Sequence, residues 1–184
     1  MNMDKHVIDT NVLLVASAAH EASPFSEDAT PIEDRALRKK VLDWLVSFHV
    51  SEKRIVLDWE WIIVDEYRGV NRREKLTEQD YGLLVVLEKF SKGHFLGFQL
   101  AWDEPGSATV SDANLSQVVT DHADRKMVAA VLAAGGSSEG CNLVNSCDTD
   151  WYDWQDAMER AGIFVEQLVG TEWCYPKWLA KKVR

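Results

Sequence analysis

The sequence predicts an α/β fold with a mainly parallel sheet. Short apolar runs alternate with longer amphipathic stretches along the whole chain, the pattern of strands joined by crossover helices. At 184 residues the chain is long enough for one domain with a single core and short for two. No repeat or low-complexity linker divides it, so residues 1–184 read as one domain with a long central segment, about 70–119, and an aromatic tail, 170–184.

The elements follow in order. The first strand is 6–9, and a helix runs over about 11–19. Residues 21–29, polar and containing Pro24, read as a loop. Thr30-Pro31-Ile32-Glu33 has the form of a capping box with proline in the first turn. Behind it Ile32, Leu37, Val41, Trp44, Leu45 and Phe48 recur at helical spacing. Arg54-Ile55-Val56-Leu57 is the second strand, and a helix over about 59–68 stops at Gly69. Thr77 caps a helix through Leu83, Leu84, Leu87 and Phe90 that ends near Gly93. Residues 94–101 alternate as a strand, and 103–106 turn. The stretch 107–120 is weakly patterned, with Val118-Val119 as a short strand. A helix over 121–134 ends at Gly135-Gly136, and Asn142-Leu143-Val144-Asn145 is a buried strand. Residues 151–161 form a helix stopped by Gly162, and 163–168 are the last strand. The tail, with Trp173, Tyr175, Pro176 and Trp178, is expected to pack back on the body.

Composition narrows the function. A hydrophobic fraction of 46% with 27% charged residues is that of an ordinary globular protein. The longest apolar runs, such as 83–87, are too short to cross a bilayer, and no signal peptide is visible, so no membrane role and a cytoplasmic location are expected. Cys141, Cys147 and Cys174 lack zinc-knuckle spacing and read as reduced and structural. The five histidines form no ligand pattern, so any metal should be bound by oxygen. A net charge of −10 argues against non-specific nucleic-acid binding by the whole surface. It leaves local basic tracks at Arg35, Arg38, Lys39 and Lys40, at Arg68, Arg72, Arg73 and Lys75, and at Lys177, Lys181, Lys182 and Arg184.

The acids are the informative feature. Asp9 ends the first strand, Asp148 and Asp150 follow the strand 142–145, and both strands should deliver them to the carboxyl edge where such sheets bind ligands. Asp124 lies near a helix start, where a carboxylate is favoured by the dipole and faces the same edge. Glu66 sits among Ile62, Ile63, Val64 and Tyr67. A lone carboxylate near a core is costly unless paired or metal-bound. Several together cannot all ionise without a cation, and hard oxygen ligands suit Mg²⁺ or Mn²⁺.

Four segments together resemble the PIN-domain family of metal-dependent ribonucleases. They are Val7-Ile8-Asp9-Thr10-Asn11, the helical Glu66, Asp121-His122-Ala123-Asp124-Arg125-Lys126, and the stretch from Leu143 through Asp148 and Asp150 to Trp151. The resemblance implies a three-layer α/β/α sandwich and an acidic pocket holding Mg²⁺ or Mn²⁺. It makes Asp9, Glu66, Asp124 and Asp148 catalytic, metal-binding acids and Asp150 an auxiliary ligand. It implies an endoribonuclease acting on RNA, the toxin of a toxin–antitoxin pair with an antitoxin covering the pocket, and a homodimer; Trp173 and Trp178 fit its interface or, equally well, helical bundling within one chain. Asn11 would orient the first carboxylate or touch a phosphate. Arg125 and Lys126, or Arg68, Arg72 and Arg73, would hold the RNA backbone. The central segment is longer than in minimal toxins, and the aromatic tail has no family counterpart.

Other roles stand beside these. Asp9 could cap the following helix, Asp65 rivals Glu66, Asp121 could be the cap beside ligand Asp124, and Asp150 could be an N-cap. Trp59, Trp61, Trp151 and Trp154 could stack bases or fill the core. Two further functions share the acids: a non-catalytic binding module of the same fold, and a DNA-directed structure-specific nuclease.

Overall fold

The computed structural model describes residues 4–23, 29–69 and 80–183. Five strands, β1 (Lys5–Ile8), β2 (Arg54–Asp58), β3 (Phe95–Phe98), β6 (Cys141–Asn145) and β7 (Val165–Gln167), form one parallel sheet in the order β3-β2-β1-β6-β7. A hairpin of β4 (Trp102–Glu104) and β5 (Ser107–Ala108) turns through Gly106, whose φ of 83° suits glycine. Helices α1 (Thr10–Ala19), α2 (Arg35–Val50), α3 (Ile62–Gly69) and α4 (Tyr81–Ser91) connect the first three strands. Then come α5 (Ala113–Val118), α6 (Arg125–Ala133), α7 (Asp150–Asp153), α8 (Gln155–Arg160) and α9 (Tyr175–Lys182).

The order of the strands decides where a ligand can sit. From β1 the chain moves outward through β2 to β3, returns to β6 on the other side of β1, and ends outward at β7. Right-handed crossovers in opposite directions place their helices on opposite faces. Accordingly α1, α2 and α4 pack on one another, while α6 lies on β1, β2 and β6 and α5 meets α8. The result is a three-layer α/β/α sandwich, as the sequence predicts. Between β1 and β6 the connections diverge, opening a crevice at their carboxyl ends.

Apolar strands and helix stripes fill both interfaces. Val7, Ile8, Ile55, Val56, Leu143 and Val144 are fully buried in the sheet, with Val12, Val15, Val41 and Leu45 above one face and Val128, Ala130 and Val131 above the other. Gly82 lets α4 approach α1 closely, since a Cβ there would lie 2.8 Å from Leu13.

Several local expectations are corrected. The 30–33 box does not cap α2; Asp34 does, its Oδ1 accepting from the amides of Ala36 (2.7 Å) and Leu37 (3.4 Å). The helix expected from 59 begins at Ile62, because Asp58 accepts from the amides of Ile62 and Ile63. Thr77, with Arg72, Arg73 and Lys75, lies outside the described residues, and Asp80 caps α4. Val118 ends a helix rather than forming a strand, with Asp112 capping its start. The helix expected from 121 begins at Arg125, and the one over 151–161 breaks at Trp154 into α7 and α8.

The aromatic tail does pack back. A single π-turn, Gly170–Cys174, leads into α9, where Tyr152, Tyr175 and Trp178 form a ring cluster and Trp178 donates to Asp153 at 2.8 Å. These intrachain contacts account for Trp178 without a dimer. All three cysteines are free and buried, as expected of structural thiols. Among the described residues no helix is long and apolar enough to cross a membrane.

Candidate metal centre

Three acids far apart in sequence meet at the crevice between β1 and β6. Asp9, Asp124 and Asp148 each place a carboxylate oxygen within 4.8 Å of the others. Asp9 follows β1, Asp148 sits in the loop after β6, and Asp124 stands at the N-terminus of α6, which runs back against the strands.

Each carboxylate is held by its own local structure. Asp9 is buried and uses Oδ1 to accept from the Asn11 amide at 2.7 Å, so it also caps α1. Its Oδ2 accepts from the Trp151 indole at 2.7 Å. Asp148 Oδ1 accepts from the Asp150 amide at 2.8 Å. The loop behind it is clamped by Asn145, whose Oδ1 accepts from the Asp148 amide (3.1 Å) and whose Nδ2 donates to the Asp148 carbonyl (2.7 Å). The Cys174 thiol donates to the Ser146 carbonyl at 3.3 Å and ties the tail to the same loop. Asp124 occupies the cap position of α6 but spends no side-chain bond on it, whereas Asp121 accepts from the Ala123 amide at 2.7 Å. Asp121 thus closes a turn just ahead of the helix, and the Asp124 carboxylate is left to face the other two acids.

The electrostatics follow from this crowding. Burial, with Asp148 next, pushes the Asp9 carboxyl up to about 7. Burial, then Asp9 and Asp148, pushes Asp124 up to about 9. Asp148 is raised as well, chiefly by burial. Clustered, partly dehydrated carboxylates of this kind favour either protons or a cation. The donor set is oxygen only, without His or Cys, and fits Mg²⁺ or Mn²⁺.

The remaining expected ligands stand apart from this group. Glu66 reaches the site's rim, but its carboxylate accepts from the Thr10 hydroxyl and pairs with the Lys126 ammonium. Its rival Asp65 is exposed and pairs with Arg68. Asp150 contributes its amide to Asp148, while its carboxylate pairs with Lys181 at 3.1 Å. Asn11 orients Asp9 through its amide and lines the adjoining cavity.

The pair expected to hold RNA has partners within the chain. Lys126 is buried, and its ammonium is taken by Glu66 and the Ala123 carbonyl (2.5 Å). Arg125 donates to the carbonyls of Val119 (3.1 Å) and Ser116 (2.9 Å), clasping the end of α5. The Arg125 Nη1 lies outside these bonds, 4.0 Å from Asp103. Of the four tryptophans near the acids, Trp151 and Trp154 are buried and in edge contact with each other. Trp59 is exposed, and Trp61 packs on Phe90.

The residues missed from sequence are the supports: Thr10, Tyr67, Asn145, Trp151 and Cys174. Tyr67 donates to the Ile8 carbonyl at 2.6 Å and fixes the end of β1 beneath Asp9. A signal existed for Asn145 alone, since an asparagine at the end of a buried strand must find partners.

Beside the acids lies a cavity of about 580 Å³, lined by Asn11, the 147–150 segment, Pro31 and, from the tail, Trp173, Lys177, Ala180 and Lys181. Comparison with protein-family models, with curated proteins and with solved structures gives no match.

Proposed function

We propose that this chain is a PIN-like, metal-dependent endoribonuclease, with Asp9, Asp124 and Asp148 holding Mg²⁺ or Mn²⁺. The observation that carries the reading is the convergence of these three carboxylates at the β1/β6 crevice. A divalent cation bound there supplies water activation and neutralisation of phosphate oxygens. The chain's own residues do the rest. Trp151 and the Asn11 amide fix the plane of the Asp9 carboxylate, and Asn145 holds the Asp148 loop at both its amide and its carbonyl. Lys126 pairs with Glu66, the fourth acid, and holds it at the edge of the other three, where its charge still adds to the rise of Asp9 and Asp124. Preorganised supports of this sort are worth one to two orders of magnitude in metal affinity. An antitoxin covering the pocket and a cytoplasmic setting belong to the same reading.

The test is Mn²⁺ titration calorimetry alongside cleavage of RNA and DNA by wild type and Asp9→Asn. Expected are Mn²⁺ binding and RNA cleavage by wild type, both lost in the variant. Mn²⁺ binding with no cleavage would make the chain a binding module, and preferred cleavage of DNA would move it to the structure-specific nucleases. No Mn²⁺ binding at all would end the proposal.

A further inference from the structure

We infer that the cavity between the 147–150 segment and α9 seats the RNA strand flanking the cleaved bond, with Lys177 and Lys181 on its phosphates and Trp173 stacking a base. The inference rests on the nuclease reading for its location beside the acids and adds a substrate grip on α9 and the π-turn before it.

Four observations support it. First, the cavity adjoins the carboxylate cluster directly, since Asp148 belongs to both. A strand lying in it would bring a backbone phosphate to the acids without any rearrangement of the chain. Second, Trp173, Lys177 and Lys181 follow one another at four-residue intervals, so the π-turn and α9 present them along one side. Third, both lysines are exposed, and the Lys177 ammonium lies 5.6 Å from the centre of the Trp173 ring. Lys177 makes no ion pair among the described residues, while Lys181 pairs with Asp150 and lies close enough to Asp148 and Asp153 for its charge to act on both carboxyls. Fourth, the half-buried Trp173 is braced against the core, which holds its ring as a platform. Rigid aromatic surfaces beside cations are how single strands are gripped without base-specific bonds.

The volume of about 580 Å³ lies in the range of roughly 300–1,000 Å³ typical of small-molecule sites, enough for a nucleotide but not for a duplex. The indole speaks against an acidic peptide. The cavity's acids and lysines would meet its carboxylates much as they meet phosphates, but such a peptide offers no flat face for Trp173 to stack on. The Cys174 thiol and the Lys181–Asp150 pair tie α9 to the loop that carries Asp148, so the grip and the acids move as one unit.

The experiment measures fluorescence anisotropy of a labelled 12-nucleotide single-stranded RNA. Binding is read in the Asp9→Asn background, and KM for cleavage in the otherwise wild-type protein. Lys177→Ala/Lys181→Ala is expected to weaken binding about tenfold at low salt. It should also reduce the slope of log affinity against log salt by about 1.4, since each single-strand phosphate contact contributes about 0.7. Trp173→Leu should weaken binding about tenfold or more, and Trp173→Phe, which keeps a stacking face, should restore most of it. Mn²⁺ affinity and melting temperature should not change in the single variant Lys177→Ala, which removes no ion pair among the described residues. A single-stranded DNA of equal length that binds as well makes the grip indifferent to the sugar and supports the inference. Unchanged RNA affinity and KM in the lysine and Trp173→Leu variants, with cleavage intact, would overturn the inference and leave the nuclease reading standing. Binding that depends on α9 without any cleavage would support the inference and remove the nuclease reading. Poly-glutamate that binds as tightly as RNA and displaces it would turn the cavity into a protein-docking site and overturn the inference.

Discussion

Asp9 and Asp58 end neighbouring parallel strands, both almost fully buried, and each carboxylate receives one N–H per oxygen. Their roles nevertheless diverge. Asp58 faces only the first turn of α3, whose amides of Ile62 (2.9 Å) and Ile63 (2.8 Å) consume both its oxygens. Asp9 lies at the switch point, and its second oxygen is met from across the molecule by Trp151, beside Asp124 and Asp148. A strand-end acid therefore becomes a ligand candidate through the topology around it, not through burial or capping. β2 lies within one winding half of the sheet, whereas β1 borders both.

Exchanging the two acids' fates is the sharpest way to break this comparison. Asp9→Asn is expected to lower Mn²⁺ affinity by more than about 100-fold, beyond the loss typical of outer supports, with the fold intact. Asp58→Ala should leave Mn²⁺ affinity within a few-fold of wild type and destabilise the protein by about 1–2 kcal/mol through the lost cap. For a chain of this size that is a fall in melting temperature of about 2–4 °C per kcal/mol. Equal effects of the two substitutions on metal affinity, measured by calorimetry, would show that strand-end placement matters more than the switch point.

A smaller effect isolates the long-range support. Trp151 is fully buried and gives its indole N–H to Asp9. Trp151→Phe keeps most of the apolar volume but leaves Asp9 Oδ2 one donor short, so Mn²⁺ affinity should fall about 10- to 100-fold. Melting temperature should also drop, because the smaller ring leaves a cavity. If the drop occurs with unchanged metal affinity, Trp151 is only a core residue.

The same contrast explains what the sequence made legible. Asp9 and Asp148 could be read as site residues because strand ends in a parallel sheet share one edge, and Asp124 because a helix start faces that edge. The partner that pairs with Glu66 could not be read, since Lys126 lies 60 positions away on another element and looks there like an exposed cation. Nor could the cap of α2: Thr30 and Asp34 both carry cap chemistry within one turn, and only the path into the helix selects between them. The break at Trp154 has a tertiary origin as well, since its indole is buried against Trp151 while α8 runs on to meet α5. Local signals located the elements; cations and donors arriving from distant elements assigned the roles.

The smallest expected effect is a proton linkage confined to the switch-point acids. In the metal-free protein burial raises Asp9 to about 7 and Asp124 to about 9, from an ordinary 3.8. Between the unfolded and folded values the native state keeps protons that the unfolded chain has released, so stability falls as pH rises through that interval. His6 acts in the opposite direction. Burial lowers it from 6.5 to about 4, so the unfolded chain takes up its proton first, and the stability it contributes grows with pH up to about 6.5 and is complete above. Lys89, lowered by burial to about 8, opposes the carboxylates chiefly above that value, and the buried thiols, raised from 9, act only at higher pH. The window from about pH 6.5 to 8 thus belongs mainly to the carboxylates. Across it the melting temperature of metal-free wild type should decline by a few degrees, at about 2–4 °C per kcal/mol. Asp124→Asn should flatten the profile, because an amide has no proton to lose, and Asp58→Asn should keep the wild-type slope. A wild-type profile as flat as that of Asp124→Asn, measured by scanning calorimetry in chelator, would mean that neither burial nor the neighbouring carboxylates raises these acids in solution, and the distinction between the two strand ends would collapse.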